Sequence, residues 1–524
     1  MATVVEQTHP PFRNEVVRTF ADPHERAAQA AAIERFLSES ERRYPIVIGA
    51  ERLTPEPPVP SVTPADPSRH AGWYHEATPQ LADRAVAEAE KAFAAWSRVP
   101  WGERADLLFR AAAALRARKD EFNAAMIVET GKPWVEADAD TAEAIDFLEY
   151  YARDALKLGA PQPIVPSPLP EDNWLEYLPL GVGAILPPWN FPLAIMAGMT
   201  TAAIVTGNTV VLKPSPDATV IAARFVDLLI ELGLPPGVVN FLPGGAEVGE
   251  RLVEHPRTRF ISFTGSMAVG LHINEVAAKP REGQIWIKRV VAEMGGKDAV
   301  VVAADADLDA AADGIVASAF GFQGQKCSAA SRAIIEESVY DAVRAKVLER
   351  MAKLEIGDPA ESPTVDVGPV INERSYQRIL KAIARGVEEG GHVMAGGKAV
   401  DRNGYFIQPT IVENVTPEKM LAQEEIFGPV CAFIKARDFD HALEIANGTK
   451  YGLTGALYSK DPAKIDRAAR EFHVGNLYLN RKCTGALVGV HPFGGFNLSG
   501  TDSKAGGHDY LLLFVQAKSI ARKR

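Results

Sequence analysis

The sequence predicts an α/β protein of two domains, each a parallel sheet covered by helices. Three observations carry this expectation. The chain has 524 residues, more than one ordinary hydrophobic core accommodates. Apolar residues make up 47% and charged residues 23%, the balance of a soluble globular protein with a sizeable core. Short β-rich runs then alternate with helical patterns in two successive series, which is the sign of βαβ units.

Taken in order, the chain turns helical near residue 78, where Thr78 can cap LADRAVAEAEKAFAAW. ERADLLFRAAAALRARKDEF and WVEADADTAEAIDFLEYYARDAL follow, with apolar residues three and four apart, so each helix has one buried face. Residues 160–173, APQPIVPSPLPEDN, hold five prolines, which exclude a helix and predict an extended crossing between two parts of the fold. The first α/β series comprises VGAIL, a helix over 193–206, NTVVLK, the helix ATVIAARFVDLLIEL closed by Gly233, VVNFL, a further helix, and RFISFTG. The second begins near Lys297 with AVVVAADADLD, a helix through Phe320, SRAIIEE and a helix from Val339 to Leu354. It closes with YFIQPTIVENV, VCAFIKA, the helix DHALEIANG, GALYS and GNLYLNR.

The net charge of −11 and pI near 5.6 argue against a protein that grips nucleic-acid phosphates. Three cysteines, an odd and sparse set, read as reduced thiols in a cytoplasmic compartment. The opening MATVVEQTHPPFRNEV lacks the basic and apolar regions of a leader peptide. The most apolar stretch, 178–212, is interrupted by Pro187, Pro188, Asn190 and Pro192, so no membrane span is expected. Histidines and cysteines do not cluster at metal-ligand spacing, so no metal is expected either.

Within GQKCSAASR, Cys327 follows a lysine. Thiols attack as thiolates, and Lys326 or the surrounding amides could lower the thiol pKa. By itself Cys327 reads equally as nucleophile or core filler, whereas Cys431 in VCAFIKA reads as core filler. In EMGGK, Glu293 precedes two glycines that let the backbone bend around a ligand and leave the carboxylate free to act as a base. The alternative is a strand-end glutamate facing solvent. PPWNFP sits at the carboxyl end of VGAIL, where ligands of open sheets collect, so the Asn190 amide could face a developing oxyanion; a proline-rich turn is the bland alternative. In FTGSMAVG a strand runs into a helix, and Ser266 with nearby amides could hold a phosphate, although Gly265 and Gly270 depart from GxGxxG spacing.

In this order PPWNFP, LKPSP, FTGSMAVG, EMGGK, GQKCSAASR, EEIFGPV and HPFGGFNLSG resemble the aldehyde dehydrogenase superfamily, over almost the whole chain from residue 45. The 34-residue separation of Glu293 and Cys327 (327 − 293) fits that pattern. The resemblance implies a Rossmann-like NAD-binding domain over 1–156 and 180–293 and a catalytic domain over 294–490. It also implies oligomerisation segments at 157–179, a small flap, and 491–524. The wider phrases AFGFQGQKCSAASR, EFHVGNLYLNRKCTGALVG and HPFGGFNLSGTDSKAGG are most similar to the branch that oxidises glutamate gamma-semialdehyde, in equilibrium with 1-pyrroline-5-carboxylate, to glutamate in proline catabolism. Another short acidic or aliphatic aldehyde stays open as substrate. A cofactor-independent cysteine hydrolase and a non-catalytic homologue are further alternatives, which the retention of Cys327, Glu293, Asn190 and the cofactor motifs disfavours.

By matching position, the resemblance implies that Cys327 attacks the aldehyde, that the Asn190 amide and the Cys327 N–H hold the oxyanion, and that Glu293 activates the hydrolytic water. For the cofactor it implies Lys213 at the adenosine ribose and Phe263, Thr264, Gly265, Ser266 and Gly270 at the pyrophosphate. Glu425 and Phe427 fall at the nicotinamide end, and Leu186, Pro188, Trp189, Ser215, Gly245 and Gly295 complete the set. Pro216 stands where many relatives carry a glutamate that bonds the adenosine 2′ hydroxyl, so use of NADP beside NAD stays open. For the substrate it implies a carboxylate held by Ser328, Gly485 and Ala486, with Glu143 near the ammonium. Phe191 and Phe493 would wall the aliphatic chain, and Lys326 would lie in the same pocket. A homo-oligomer, dimer or higher, and a proline dehydrogenase partner are implied, with no nucleic acid or membrane.

Overall fold

The computed structural model describes residues 10–524; residues 1–9, with most of the opening stretch read for a leader and the start of the expected 1–156 segment, lie outside the described residues. The first series forms a seven-stranded sheet in the order Arg289–Glu293, Thr258–Thr264, Val182–Leu186, Thr209–Leu212, Val239–Phe241, Ile46–Ile48, Glu51–Leu53. Its first five strands are parallel and the last two join antiparallel. Because strand side chains alternate, Ile185, Val210 and Leu212 enter a core shared with helices Trp134–Leu158 and Ala194–Val205. Ala184, Leu186 and Val211 enter a second core, with helices Pro79–Trp96 and Ala246–Glu254. Burial on both faces explains why these strands read as continuous apolar runs.

The second series forms another seven-stranded sheet, His392–Ala395, Thr410–Glu413, Val430–Ala436, Ala330–Glu336, Asp298–Val302, Thr454–Tyr458, Asn476–Leu479, antiparallel only at its first pair. Val301 and Ile334 face helices Glu373–Glu388 and Phe439–Asn447, while Val300, Val302 and Ile335 face Leu308–Phe320 and Tyr340–Met351.

Several elements differ from the sequence expectation or were not anticipated by it, among them the strands before residue 78, two of which, Ile46–Ile48 and Glu51–Leu53, extend the first sheet. The run ERADLLFRAAAALRARKDEF is two helices, Trp101–Ala117 and Lys119–Thr130, joined at Arg118, whose guanidinium pairs with Glu121 and Glu231. Continuous periodicity hides this break, because the turn serves to pack Lys119–Thr130 against helix Pro23–Ser38, itself unanticipated. Helix Glu373–Glu388 is capped by Asn372, whose Oδ1 accepts the Ser375 N–H at 2.8 Å, and buries Ile379 and Ile383.

After the prolines, Glu171–Pro179 pairs antiparallel along its whole length with Val515–Lys523, forming a partly exposed arm. Residues 491–505 instead fold onto the body, where Phe496–Asn497 pairs with Tyr451–Gly452 and Gly500 bridges Glu293. Among the described residues no helix is long and apolar enough to cross a membrane.

Candidate active site

Asn190 and Cys327 are delivered by loops, and Glu293 by the end of a strand, at the meeting of the two sheets. Strand Val182–Leu186 ends at two prolines, which cannot extend the ladder, and the chain turns to bury Asn190. The Asn190 Nδ2 donates to Gln325 O at 3.1 Å, and among the described residues its second N–H meets no acceptor, which leaves it for a substrate oxygen. The Asn190 carbonyl accepts from Lys132 Nζ at 2.7 Å. Lys132 in turn pairs with Asp140 at 2.5 Å, both side chains wholly buried, and its ammonium lies 4.2 and 4.5 Å from the ring centroids of Phe191 and Phe322. The other Asp140 oxygen accepts the Ala194 N–H at 2.7 Å, which fixes the start of helix Ala194–Val205. This buried pair holds the Asn190 turn from both sides.

Before Cys327 the backbone passes through left-handed conformations at Phe322 (φ 48°), Gln323 (φ 56°) and Gly324 (φ 65°). For non-glycine residues this costs on the order of 1–3 kcal/mol each and persists only where surroundings impose it. Here Gln323 Nε2 donates to Gly131 O at 3.0 Å and Pro369 O at 2.8 Å, and Gln325 Oε1 accepts the Ile371 N–H at 2.9 Å. The loop presents Cys327 partly exposed, whereas Cys431 and Cys483 are buried.

The expected thiolate-favouring cation is absent from Cys327, and that reading is corrected. Lys326 Nζ turns to Glu136 Oε1, 2.6 Å away. Burial, followed by the carboxylates of Asp298, Glu425 and Glu293, pushes the Cys327 thiol up, against a smaller opposing effect of the Ser328 N–H. The thiol therefore requires a base.

Glu293 ends strand Arg289–Glu293, and its carboxylate accepts from Ser503 Oγ at 2.5 Å and the Gly495 N–H at 3.3 Å. Burial raises it to about 7, with those hydrogen bonds opposing. The two following glycines are needed for close approach. A Cβ on Gly295 would overlap the Glu425 carboxylate, and one on Gly296 would overlap the Asp298 carboxylate and crowd the Cys327 carbonyl. Gly296 N–H donates to Glu425 Oε1 at 3.1 Å, and burial raises Glu425 to about 7.

Beside this centre lies a cradle that fits a dinucleotide. Strand Thr258–Thr264, with Phe263 buried, runs through Gly265 into helix Met267–Ala278, which Ser266 caps by accepting the Val269 N–H at 3.4 Å. Val269 is half exposed, so this positive helix end opens to solvent while Gly270 packs on Met294. Gly245 begins helix Ala246–Glu254 without a side-chain cap. Among the described residues Lys213 donates to the carbonyls of Gly244 (2.8 Å) and Pro214 (3.0 Å), and burial lowers it to about 8. Ser215 opens the turn Pro216–Ala218, with Pro216 exposed and Asp217 accepting from Asn372 Nδ2 at 3.1 Å. Leu186 is buried under the cradle, Pro188 is partly exposed, and Trp189 meets Phe427 edge-on at 5.5 Å. Among the described residues no cluster of His, Cys, Asp or Glu could hold a metal ion.

Of the expected substrate residues, Ser328 is buried beside Cys327. Glu143, on helix Trp134–Leu158, is raised by burial to about 8 and feels Lys132 and Lys326. Gly485 (φ 80°) is exposed and Ala486 half-buried, on a loop whose Thr484 and Gly485 carbonyls each accept from Arg481 at 3.0 Å. Lys482 on the same loop is influenced by Lys326 and Glu136, which places the loop near that pair. Phe191 and Phe493 are partly exposed, the latter bridged to Ala505. Sequence reasoning missed Ser503, the Lys132–Asp140 pair, Glu136 and the two glutamines of the Cys327 loop. Ser503 stands in the HPFGGFNLSGTDSKAGG phrase, but its partner is 210 residues away.

Residues 53–520 match a model of the aldehyde dehydrogenase family. The chain is 57% identical to 1-pyrroline-5-carboxylate dehydrogenase of Geobacillus kaustophilus over 512 residues, 98% of this chain and 99% of that one. It superposes on the NAD-bound structure of 1-pyrroline-5-carboxylate dehydrogenase from Thermus with a TM-score of 0.97, at 49% identity, over 99% of this chain and 100% of that one. Proline utilization A from Bdellovibrio bacteriovorus is also similar, with a TM-score of 0.96 at 44% identity over 98% of this chain, which spans 54% of that longer protein.

Proposed function

This chain belongs to the aldehyde dehydrogenase family, and from that premise we propose that it oxidises glutamate gamma-semialdehyde, the open-chain form of 1-pyrroline-5-carboxylate, to glutamate with NAD. The observation that carries the reading is the convergence of Cys327, the free Asn190 N–H and a near-neutral Glu293 beside the dinucleotide cradle. Relatives named for that reaction match over nearly their full length.

In the proposed reaction Cys327 gives its proton to Glu293, which passes it to solvent, and adds as a thiolate to the aldehyde carbon, while the Asn190 amide and the Cys327 N–H donate to the oxyanion that develops. NAD, when bound, supplies the acceptor for the hydride leaving that carbon. Lys213, Ser266 and the open helix end hold its adenosine and phosphate portion, and Glu425 with Phe427 borders its reactive end. The acyl group is then a thioester on Cys327. Glu293 takes a proton from the water that attacks it, which releases glutamate and restores the thiol. Ser328 and the amides of Gly485 and Ala486 hold the substrate carboxylate, Glu143 faces its ammonium, and Phe191, Phe493 and Lys326 border the chain.

The exposed arm of Glu171–Pro179 and Val515–Lys523 supports its use in pairing subunits of a homo-oligomer. Three unpaired cysteines support a reducing, cytoplasmic setting. The match to about half of proline utilization A supports a proline dehydrogenase as the partner supplying the substrate. The test is the initial rate of NAD reduction with glutamate gamma-semialdehyde beside succinate semialdehyde and hexanal. A kcat/KM at least about tenfold higher for the first supports the reading; a preference for either other aldehyde overturns it.

A further inference from the structure

Helix Trp134–Leu158 presents carboxylates to two sides. Glu136, Asp140 and Glu143, spaced at four and three residues, face the site through Lys326 and Lys132. Asp138 and Asp146 face away, toward an irregular segment over residues 10–20. Wholly buried, Asp138 accepts the Arg18 N–H at 2.7 Å, Arg18 Nε at 2.8 Å, Asn123 Nδ2 at 2.9 Å and Lys119 Nζ at 3.1 Å. Asp146 accepts the Glu15 N–H at 2.7 Å and Asn14 Nδ2 at 2.8 Å. Arg153 Nη2 donates to Pro10 O at 3.0 Å. Side chains of the helix thus satisfy backbone groups that no regular structure pairs.

The same Asn14 Nδ2 also donates to Val488 O at 2.9 Å. Phe12 meets Tyr150 edge-on at 5.2 Å, and both rings lie on Gly489, whose φ is 76°. A Cβ there would stand 2.8 Å from Tyr150 and 3.3 Å from Phe12, so only glycine accepts this contact. Val488 is two residues past Ala486 and three past Gly485. The loop is thus held at one end by Arg481 and at the other by Asn14 and Phe12.

We infer that residues 10–18 are a strap that positions the 484–489 loop against helix Trp134–Leu158, and that Asn14 and Phe12 thereby help determine selectivity for aldehydes bearing a carboxylate. The inference rests on the proposed role of Gly485 and Ala486 as the carboxylate anchor. Backbone amides grip an anion only when their N–H vectors converge on it, and an exposed loop with a left-handed glycine keeps such an arrangement only if both ends are fixed. Asn14 and Phe12 touch neither substrate nor cofactor; they act through the loop.

The test compares Asn14→Ala and the milder Phe12→Leu with the wild type, using glutamate gamma-semialdehyde and hexanal with saturating NAD. In Asn14→Ala the KM for the carboxylated aldehyde should rise about tenfold, and in Phe12→Leu about threefold. Both kcat values and the KM for hexanal should stay within about twofold of wild type. A parallel rise for hexanal, or unchanged KM values in both variants, overturns the strap. A wild type that prefers hexanal removes the anchor reading and the strap with it. A wild type that prefers the carboxylated aldehyde while both variants keep the wild-type ratio of kcat/KM between the two aldehydes removes the strap alone.

Discussion

The hydroxyl of Ser503 donates to Glu293 Oε1 at 2.5 Å, tying the proposed base to the C-terminal segment that folds back across the strand end. With the Gly495 N–H it favours the ionised carboxylate, against a burial that raises the group to about 7. The base is therefore half ionised near neutrality and sensitive to its neighbours.

The pH profile should follow from this. Glu293 works as a carboxylate, so the rate of thioester hydrolysis should rise as pH passes upward through about 7. Ser503→Ala removes a hydrogen bond that favours the charged form, so the inflection should move up by on the order of one pH unit. Pre-steady-state rates between pH 5.5 and 9 check this. An unmoved or lowered inflection contradicts it.

Cys327→Ala should lower dehydrogenase turnover by roughly 10⁴-fold or more. Binding of NAD, measured by calorimetry, should remain, because the cradle around Lys213 and Ser266 is built by other loops. Residual turnover near wild type would show that the nucleophile lies elsewhere.

Lys132→Met should destabilise the protein by about 3–5 kcal/mol, since it leaves the wholly buried Asp140 carboxylate without its cation. Adding Asp140→Leu should recover a large part of that loss, because no buried charge then remains uncompensated. Urea unfolding of the two single variants and the double variant measures it. The double variant should still turn over more slowly than wild type, because the Asn190 carbonyl has lost its donor.

Pro216→Glu should shift cofactor preference toward NAD. The position is exposed at the start of the Pro216–Ala218 turn, and a carboxylate there would repel a 2′-phosphate. The ratio of kcat/KM for NAD over NADP should rise about tenfold or more. An unchanged ratio would place the 2′ position away from this turn.

What could be read in the chain alone was whatever is written in consecutive residues. The alternation of apolar runs around VGAIL, RFISFTG and AVVVAADADLD carried both sheets, because a strand buried on two faces needs an unbroken apolar stretch wherever it sits. EMGGK and GQKCSAASR carried Glu293 and Cys327, because the glycines and the strained loop around them are local requirements of close packing. The break at Arg118 and the capped helix Glu373–Glu388 were not read, since packing partners decide where a periodic run stops.

Only the tertiary structure decided the electrostatics. Lys326 stands next to Cys327 in the chain, yet it serves Glu136, so adjacency predicted the wrong direction for the thiol. Ser503 on Glu293, Asp140 on Lys132 and Asn14 on Val488 join segments far apart in sequence or loops whose meeting no periodicity announces. Charge interactions fall off with distance in space and strengthen with burial. The sequence alone determined which chemical groups this protein owns and on which loops they ride; folding determined which charges face one another, and hence how each group titrates.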